Sequence, residues 1–300
     1  MSSKVYIICG VHNGLENTKK LLDCIGKQTY RDFQTIIIDD GSTDNTFSFI
    51  NKEYPEVVLI KGNGKLYWTG ALFEGVDWAL KSAKKEDFIL TINNDCTFEK
   101  NYIENLIKLA GQKKNSIIGS MAVDSKSRTS IHDAGVRIDW KAGKFIQLSP
   151  RNISDLPLDE TYQANIDTLT TKGTLYPMDV FKRIGNFDKY HLPHYVSDYE
   201  FNCRAKRKGY ELILNYQARV YNDVRNTGFG EDIPDKLNLY QFFEMLFARR
   251  SRVNILDNFW FITLCCPNKY KLWNYLLLLG KISYLVYLLF PFKLLLTSKK

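Results

Sequence analysis

Apolar runs that end in polar clusters, separated by helical patterns, dominate the first third of this 300-residue chain. The runs are residues 36–38 and 89–92, and the clusters that follow them are Asp39 with Asp40, and Asn93, Asn94 and Asp95. Such runs are typical of strands buried in a parallel sheet, and open α/β sheets bind ligands at the carboxyl ends of their strands. The pattern predicts an α/β fold, with a mostly parallel central sheet flanked by helices and a ligand site where these clusters meet.

Hydrophobic periodicity predicts further elements along the chain. Strands are expected at residues 4–9, 33–38, 57–60, 88–92 and 117–123, and helices at residues 17–28, 47–50, 69–85, 177–185 and 196–208. Ser42 or Thr43 is expected to cap the second helix. A hairpin or meander is expected at 136–148, a polar loop at 150–164, an extended segment at 169–176 and two closing strands at 211–214 and 218–221. From residue 236 the pattern is helical to the end.

Charge and cysteine content restrict the class of partner. A formal net charge of +8 is compatible with nucleic acid, an anionic membrane or phosphorylated ligands. Many basic residues flank an apolar C-terminal segment, which favours anionic lipid and no nucleic acid, although a solvated basic surface is the alternative for each cluster.

Six cysteines without a C-x-x-C pair, and no signal-peptide pattern before the first strand, predict a reducing, cytosolic environment.

The apolar C-terminal segment covers residues 272–296 and contains Lys281 near its middle. A membrane-spanning helix needs about 20 consecutive apolar residues with few charges. We therefore expect an amphipathic or shallowly inserted segment that lies on the inner leaflet of the plasma membrane, as a peripheral or monotopic anchor. The alternative is a helix that packs on the rest of the protein or on a second copy in a homodimer.

Each acidic cluster also has a purely structural interpretation. The run from Asp39 to Asp44 can form an Asx turn that caps a helix, or Asp40 can accept a hydrogen bond from a ribose hydroxyl or a pyrimidine N–H. Asp95 can cap a helix, or it can supply the single carboxylate with which a hard divalent cation is held beside phosphate oxygens.

Five blocks, taken in order and spacing, resemble the family 2 inverting glycosyltransferases of the GT-A fold over roughly residues 4–226. The blocks are His12-Asn13 after the first strand, residues 28–44 with Asp39 and Asp40, Asn93-Asn94-Asp95, residues 173–188 beginning at Gly173, and residues 198–204 beginning at Asp198. Residues 62–71, which include Gly64 and Trp68, resemble the glycine-rich segment of the rhamnosyltransferase-like branch found in bacterial polysaccharide assembly.

The resemblance implies a role for each matching position. Donor-binding residues would be His12, Asp40, Gly64, Trp68, Asn93 and Asn94, with Asp40 contacting the base and the glycine-rich backbone approaching the diphosphate near a helix N-terminus. Asp95 would hold Mg²⁺ or Mn²⁺, and Asp198 would be the catalytic base. Gly173, Asp198 and Glu200 would line the acceptor site, with a contact to Arg204 as the other role for Glu200.

Two departures from the family pattern concern the metal site. The common D-x-D motif is here Asn93-Asn94-Asp95, which leaves one carboxylate. The histidine often found after the last sheet strand is absent, so Asn222 or Asp223 could complete the metal shell. The four histidines show no zinc spacing, and His191 and His194 could either line the acceptor pocket or lie on a surface loop.

The implied organisation is a nucleotide-sugar-binding half at residues 1–115, an acceptor-binding half of the same domain at 116–230, and a helical membrane-associating extension at 231–300. The implied function is metal-dependent, inverting transfer of a sugar from a UDP-sugar or dTDP-rhamnose to a glycan or lipid-linked acceptor in cell-surface polysaccharide synthesis. A nucleotidyltransferase of similar fold and a non-catalytic membrane scaffold are the alternatives.

Overall fold

The computed structural model describes residues 3–148, 150–157, 160–223, 238–251 and 253–289. Within these residues a nine-stranded mixed sheet runs in the order β3-β2-β1-β4-β10-β5-β11-β9, with β6 paired to β5. A separate two-stranded hairpin, β7-β8, lies beside it.

The first half of the chain forms the parallel part of the sheet. Its elements are β1 (Val5–Val11), α1 (Leu15–Gly26), β2 (Phe33–Asp39), α2 (Thr46–Glu53), β3 (Val58–Lys61), α3 (Tyr67–Leu80) and β4 (Phe88–Thr91). Strands β3, β2, β1 and β4 pair in parallel, as the alternating pattern predicts. Apolar clusters on both faces bury the sheet, so the carboxyl ends of its strands are where polar side chains collect.

The second half adds strands of both directions. Its elements are α4 (Tyr102–Gln112), β5 (Ser116–Asp124), β6 (Ile131–Asp133), β7 (Val136–Asp139), β8 (Lys144–Gln147), β9 (Tyr162–Gln163), β10 (Thr174–Pro177), α5 (Met178–Ile184), α6 (Ser197–Arg207) and β11 (Glu211–Asn222). Strand β10 inserts antiparallel between β4 and β5, and β11 pairs with β5 in parallel.

Several local predictions need correction. Neither Ser42 nor Thr43 caps α2, because the helix begins at Thr46, whose amide and hydroxyl both donate to Asp44 Oδ1. The two closing strands are one strand, β11, whose pairing with β5 shifts register between Asn215 and Arg219. Helix α4 was not predicted, and the expected polar loop contains a 3₁₀ turn at Ile153–Asp155 and strand β9.

The C-terminal extension forms three helices in the part that the structure describes. They are α7 (Leu239–Phe247), α8 (Ile255–Cys265) and α9 (Asn268–Leu289). The end of the predicted apolar segment, residues 290–296, lies outside the described residues. Helix α9 is long and apolar enough to cross a membrane, by length and composition alone.

The extension is attached to the preceding domain by specific contacts. The Arg207 guanidinium on α6 donates to the carbonyls of Leu264 (2.7 Å) and Cys265 (2.6 Å) on α8. On α9, the Trp273 indole donates to the Lys141 carbonyl (2.8 Å), and the Asn274 amide donates to the carbonyl of Trp140 in the same hairpin (2.7 Å). Helices α8 and α9 are therefore packed on the domain and are not a freely attached tail.

Close packing sets the position of α3 over the sheet. A Cβ atom on Gly75 would lie 2.5 Å from Ile8 and 2.8 Å from Ile38, so only glycine lets the helix approach this closely. The loop that precedes α3 is thereby held over the carboxyl ends of β1 and β2.

Candidate active site

A cavity of about 450 Å³ lies at the carboxyl ends of β1, β2 and β4. It brings together all six residues predicted to bind a donor and the predicted metal ligand, namely His12, Asp40, Gly64, Trp68, Asn93, Asn94 and Asp95. Further lining residues include Tyr67, His194 and Arg250. The strand-end pattern in the sequence therefore located one shared site.

The Asp40 carboxylate organises the loop that leads into α3. Its Oδ1 accepts from the amide of Gly64 (2.7 Å), and its Oδ2 accepts from the amides of Leu66 (2.9 Å) and Tyr67 (3.1 Å). A Cβ on Gly62 would lie 2.7 Å from Asp40 Oδ1, which explains a glycine at that position. Two carboxylate oxygens offer about four acceptor sites, so about one is left, on Oδ1, for a ligand.

These contacts change the expected role of the glycine-rich segment. The backbone of the glycine-rich segment, residues 62–71, was expected to approach a diphosphate near the start of the helix. The structure pairs three of its amides, those of residues 64, 66 and 67, with Asp40. The loop is therefore rigidly placed, but these amides are not available to a phosphate.

His12 and Asp39 fix the ends of β1 and β2 to each other. His12 Nδ1 lies 2.7 Å from the Asp40 carbonyl, which can only accept, so Nδ1 carries the proton and Nε2 accepts from the Asn13 amide at 3.2 Å. The Asp39 Oδ1 accepts from the Ser42 amide at 2.7 Å. The first acid of the pair thus forms the turn, and the second faces the cavity.

The surroundings of Asp95 suit a hard divalent cation. Asp95 is half-buried just beyond β4, and the backbone pairing of Thr97 with Tyr221 brings the next residue, Asn222, to the same end of the sheet. The buried Oδ1 atoms of Asn93 and Asn222 have no hydrogen-bond partner among the described residues. Oxygen donors of this kind, one carboxylate with amide oxygens, are those that Mg²⁺ and Mn²⁺ accept.

Other candidates for the metal shell are less suitable. Asp223 lies 3.5 Å from the Lys126 ammonium in an ion pair. In the described ranges no three His, Cys, Asp or Glu side chains gather in a group that could hold a metal. An ion at Asp95 would therefore depend on ligand phosphate oxygens to complete its coordination.

Asp198 lies in the first turn of α6 with its carboxylate half-buried. Its Oδ1 accepts from the Tyr199 amide (2.9 Å) and its Oδ2 from the Thr171 amide (3.3 Å). Burial raises the pKa of Asp198 to about 6 despite these two hydrogen bonds, and the nearby Asp133 raises it further. A carboxylate with this pKa can accept a proton near neutral pH.

Two side-chain hydrogen bonds tie Asp198 to the cavity. The Thr171 hydroxyl accepts from the Trp68 indole at 2.9 Å while the Thr171 amide holds Asp198. The hydroxyl of Ser197, at the start of α6, accepts a hydrogen bond from the hydroxyl of Thr69 on α3 at 2.8 Å. Neither Thr171 nor Thr69 stands out in the sequence, because their side-chain partners, Trp68 and Ser197, lie 103 and 128 residues away along the chain.

The remaining predicted acceptor residues have structural contacts. Gly173 is buried with φ +83, and a Cβ there would lie 2.3 Å from the Tyr102 hydroxyl, so glycine is required for packing. Glu200 is 2% exposed, and its Oε1 accepts from the Arg204 guanidinium at 2.5 Å. Glu200 was predicted either to line the acceptor site or to contact Arg204, and the structure shows the contact with Arg204.

The two histidines before Asp198 have different positions. His194 lines the cavity, and burial together with the nearby Arg250 lowers its pKa to about 4, so the imidazole is neutral at pH 7. His191 bonds to Asp188 at 2.7 Å, and its ring lies 4.1 Å from that of Trp260 on α8. The sequence placed both in the same loop but could not separate these roles.

The GT-A class of sugar-nucleotide transferases is defined by three features found here. They are a mixed sheet with this strand order, a polar cavity at the carboxyl ends of its strands and a candidate base beside that cavity. The chain belongs to glycosyl transferase family 2, because the model of that family matches residues 6–185, more than half of the chain. The protein is therefore a glycosyltransferase, and the family resemblance and the fold predicted from the sequence are confirmed.

Two relatives carry names from the same class of enzyme. The chain is 22% identical over 228 residues to the O-antigen chain rhamnosyltransferase WbaN of Salmonella anatum, covering 76% of this chain and 68% of that protein. It is 27% identical over 248 residues to the uncharacterized glycosyltransferase RT0329 of Rickettsia typhi, covering 80% of this chain and 70% of that protein.

Solved structures share the fold. TarS 1-349 of S. aureus matches with a TM-score of 0.52 and 15% identity over 74% of this chain and 60% of that one. The mannosyltransferase PcManGT of Pyrobaculum calidifontis, in complex with GDP-Man and Mn²⁺, matches with a TM-score of 0.53 and 15% identity, covering 75% of this chain and 58% of that one. GalNAc-T7 with UDP, GalNAc and Mn²⁺ matches with a TM-score of 0.59 and 13% identity, covering 95% of this chain and 57% of that one. The chain thus spans less than two thirds of each solved chain.

Proposed function

We propose that the protein transfers a sugar from a nucleotide diphosphate donor to a glycan or lipid-linked acceptor, with inversion at the anomeric carbon. The observation that carries this proposal is Asp198, a half-buried carboxylate whose pKa burial raises to about 6, linked through Thr171 to Trp68 in the cavity wall. At pH 7 such a group is mostly ionised and is still basic enough to act as a general base.

A single displacement describes the reaction. The acceptor oxygen forms a bond to the anomeric carbon while the bond from that carbon to the diphosphate oxygen breaks, and the acceptor proton passes to Asp198. The sugar passes through an oxocarbenium-like state, as in other glycosyl transfers. The products are the glycosylated acceptor and a nucleoside diphosphate.

Asp95 is the proposed ligand of Mg²⁺ or Mn²⁺, with the orphaned amide oxygens of Asn93 and Asn222 as further donors. When bound, such an ion neutralises charge on the departing diphosphate. The Mn²⁺ in the structures of PcManGT and GalNAc-T7 supports this assignment.

The donor is proposed to be a UDP-sugar or dTDP-rhamnose. The UDP bound to GalNAc-T7 and the rhamnosyltransferase name of the Salmonella relative support these two candidates. His12 and Asp40 at the cavity wall are proposed to contact the nucleoside, because Asp40 Oδ1 keeps about one acceptor site for a ligand N–H or O–H.

The acceptor is proposed to approach from the side of Asp198 that carries Tyr199. The Tyr199 ring lies 5.2 Å from that of Phe145, which is 48% exposed on the β7-β8 hairpin. Glycan rings and lipid chains both bind exposed aromatic surfaces of this kind through apolar contact.

Membrane association at the cytoplasmic face is proposed from the extension. Helices α7 and α9 expose large apolar side chains, among them Tyr240, Phe243, Leu272, Leu276 and Leu279. An exposed apolar patch of this extent, on a chain of net charge +8, suits an anionic lipid surface. A homodimer formed through the same face is the alternative. We also propose that the chain divides after residues 115 and 230 into a nucleotide-sugar-binding half, an acceptor-binding half and this extension. The proposed role of the enzyme is in cell-surface polysaccharide synthesis.

A donor screen tests the proposed function. Purified full-length protein is heated with each nucleotide sugar in turn, in Mn²⁺ and in EDTA, since a ligand that binds the native state raises its Tm. We expect one nucleotide class to stabilise the protein, and more strongly with the metal. Release of the matching nucleoside diphosphate with an acceptor extract would then report turnover, and no response to any nucleotide sugar would contradict the proposal.

A further inference from the structure

Arg250 reaches the donor cavity from the C-terminal extension. It lies between α7 and α8, outside the segment that matches the family, yet it lines the cavity with Asp40, Asp95 and His194. Its charge is close enough to lower the pKa of His194. The sequence alone placed it in a basic cluster beside the apolar segment, with no link to the strand ends.

The turn that carries Arg250 is held by its own hydrogen bonds. The Ser251 amide donates to the Ala248 carbonyl at 3.0 Å. The fully buried Asn254 side chain donates to the same carbonyl at 3.1 Å and also caps α8. The backbone at residue 250 is therefore fixed relative to α8, which is itself bonded to α6.

Arg250 supplies positive charge that the other described walls of the cavity lack. The amides of residues 64, 66 and 67 are occupied by Asp40, and the neutral His194 adds no charge. Among the described lining residues, Arg250 is the one Lys or Arg side chain, and the carboxylates of Asp40 and Asp95 line the same cavity. A diphosphate is itself negatively charged, so beside these carboxylates a guanidinium would stabilise it in addition to the divalent ion proposed at Asp95.

We propose that Arg250 binds the diphosphate of the donor and that the extension is therefore part of the donor site. The inference rests on the proposed function, because it names the group that holds the donor's phosphates. A guanidinium presents several N–H donors in one plane and pairs with two phosphate oxygens at once. It also has no hydrogen-bond or ion-pair partner among the residues with described structure, so its donors remain available to a ligand.

The adjacent Arg249 provides a matched control. It has the same charge and lies in the same turn, but it acts on Asp257 of α8, whose pKa it lowers against the effect of burial. It does not line the cavity. Removing its charge should affect α8 and leave the diphosphate site unchanged.

The test compares nucleotides with and without phosphates. Titration calorimetry on full-length wild type, Arg250→Ala, Arg250→Lys and Arg249→Ala would use UDP, GDP and dTDP, together with the parent nucleosides, each in Mn²⁺ and in EDTA. We expect Arg250→Ala to bind the diphosphate about tenfold to a hundredfold more weakly, the usual effect of losing a charge-assisted hydrogen bond, and to bind the nucleoside unchanged. Arg250→Lys should recover part of the loss, and Arg249→Ala should bind like wild type.

The outcomes separate this inference from the proposed function. Equal diphosphate affinity in wild type and Arg250→Ala would overturn the role of Arg250 while leaving the enzyme class intact. An equal loss of nucleoside and diphosphate binding would also overturn it, since the change would then be structural. A wild type that binds none of the nucleotides would contradict the proposed function and this inference together. As a second readout, the salt dependence of diphosphate binding should be smaller in Arg250→Ala.

Discussion

Asp40, Asp95 and Asp198 are the same side chain in three environments. Asp40 accepts three backbone hydrogen bonds and holds a loop. Asp95 is half-buried near orphaned amide oxygens, and Asp198 is buried enough to have a pKa of about 6. Each environment favours a different chemistry, namely loop positioning, cation binding and proton transfer.

The pKa of Asp198 predicts how transfer depends on pH. The carboxylate must be ionised to accept a proton, so kcat/KM should rise with pH through about 6 and level off above it. Asp198→Asn should lower kcat by about 100-fold or more, the usual contribution of a general base, and leave nucleotide affinity unchanged. A wild-type rate that is flat from acid to neutral pH would assign the base to another residue.

The same pKa predicts an effect on stability. The pKa of Asp198 in the folded protein lies above its ordinary value of 3.8, so ionised Asp198 destabilises the fold. This destabilisation is absent below pH 3.8, where the carboxyl is protonated in both states, and reaches its full size above about pH 6. Asp198→Asn should therefore raise the free energy of unfolding by about 1–2 kcal/mol at pH 8 and by less at pH 4, allowing for one lost amide hydrogen bond. Urea denaturation at the two pH values measures this, and a larger gain at pH 4 would contradict it.

Asp95 is the residue on which metal dependence should rest. Asp95→Ala should remove the increase in nucleotide diphosphate affinity that Mn²⁺ produces, because the cation loses its one protein carboxylate. Binding of the parent nucleoside should not change. Calorimetric titration with and without EDTA checks this, and a variant that still responds to Mn²⁺ would show that the ion binds elsewhere.

At the scale of elements, the site depends on how α3 and α6 are joined. The loop before α3 is fixed by Asp40, and the hydroxyl of Thr69 on α3 donates to residue 197 at the start of α6. The Thr69 amide also donates to the Pro193 carbonyl at 3.1 Å. The donor cavity and the candidate base are thus held on one connected frame.

Removal of the Asp40 carboxylate should loosen the loop at 62–67. Asp40→Ala leaves three amides without an acceptor, so we expect the protein to lose about 2–4 kcal/mol of stability and amide hydrogen exchange to accelerate at residues 64, 66 and 67. Asp23→Ala is the control, because Asp23 forms an exposed ion pair with Lys27 whose loss should change stability little. Unchanged exchange in this loop would show that Asp40 does not organise it.

At the scale of the whole molecule, the extension has two faces. One packs on the domain, through Phe261 and Ile262 of α8 and through the contacts of Trp273 with the hairpin. The other exposes the apolar side chains of α7 and α9. The packed-helix interpretation of the apolar segment thus applies to one side of these helices, and the exposed side is the one on which the membrane proposal rests.

A truncation should therefore be made after α8. Removal of residues 268–300 keeps the buried side chains of α8 and the turn with Arg250, so we expect a folded protein that binds nucleotide. It should float less with anionic vesicles, because it loses the exposed apolar side chains of α9 and keeps those of α7. Vesicle binding of the full-length chain should weaken as salt screens its lysines over about 8 Å. A truncated protein that floats as strongly as the full-length chain, or a full-length chain that never floats, would contradict the membrane proposal.

Local patterns determined much of the fold. The alternation of apolar runs with helical periodicity predicted the parallel strands β1 to β4 and the polar clusters at their ends, because burial of both faces and the position of strand ends are properties of neighbouring residues. The same periodicity is present in α4, through Tyr102, Ile103 and Leu106, although this helix was not predicted.

Tertiary structure decided how the polar groups are used. The loop amides that bind Asp40 lie 24 to 27 residues further along the chain, and the Thr171 hydroxyl meets the Trp68 indole across 103 residues. Arg250 joins a cavity whose other lining residues are His194 and residues from the first hundred. Burial of Asp198, the antiparallel insertion of β10 and the joining of two predicted strands into β11 are likewise products of distant contacts. Periodicity reports which face of an element is buried, whereas pKa values, hydrogen-bond partners and cavity walls depend on which distant residues meet there.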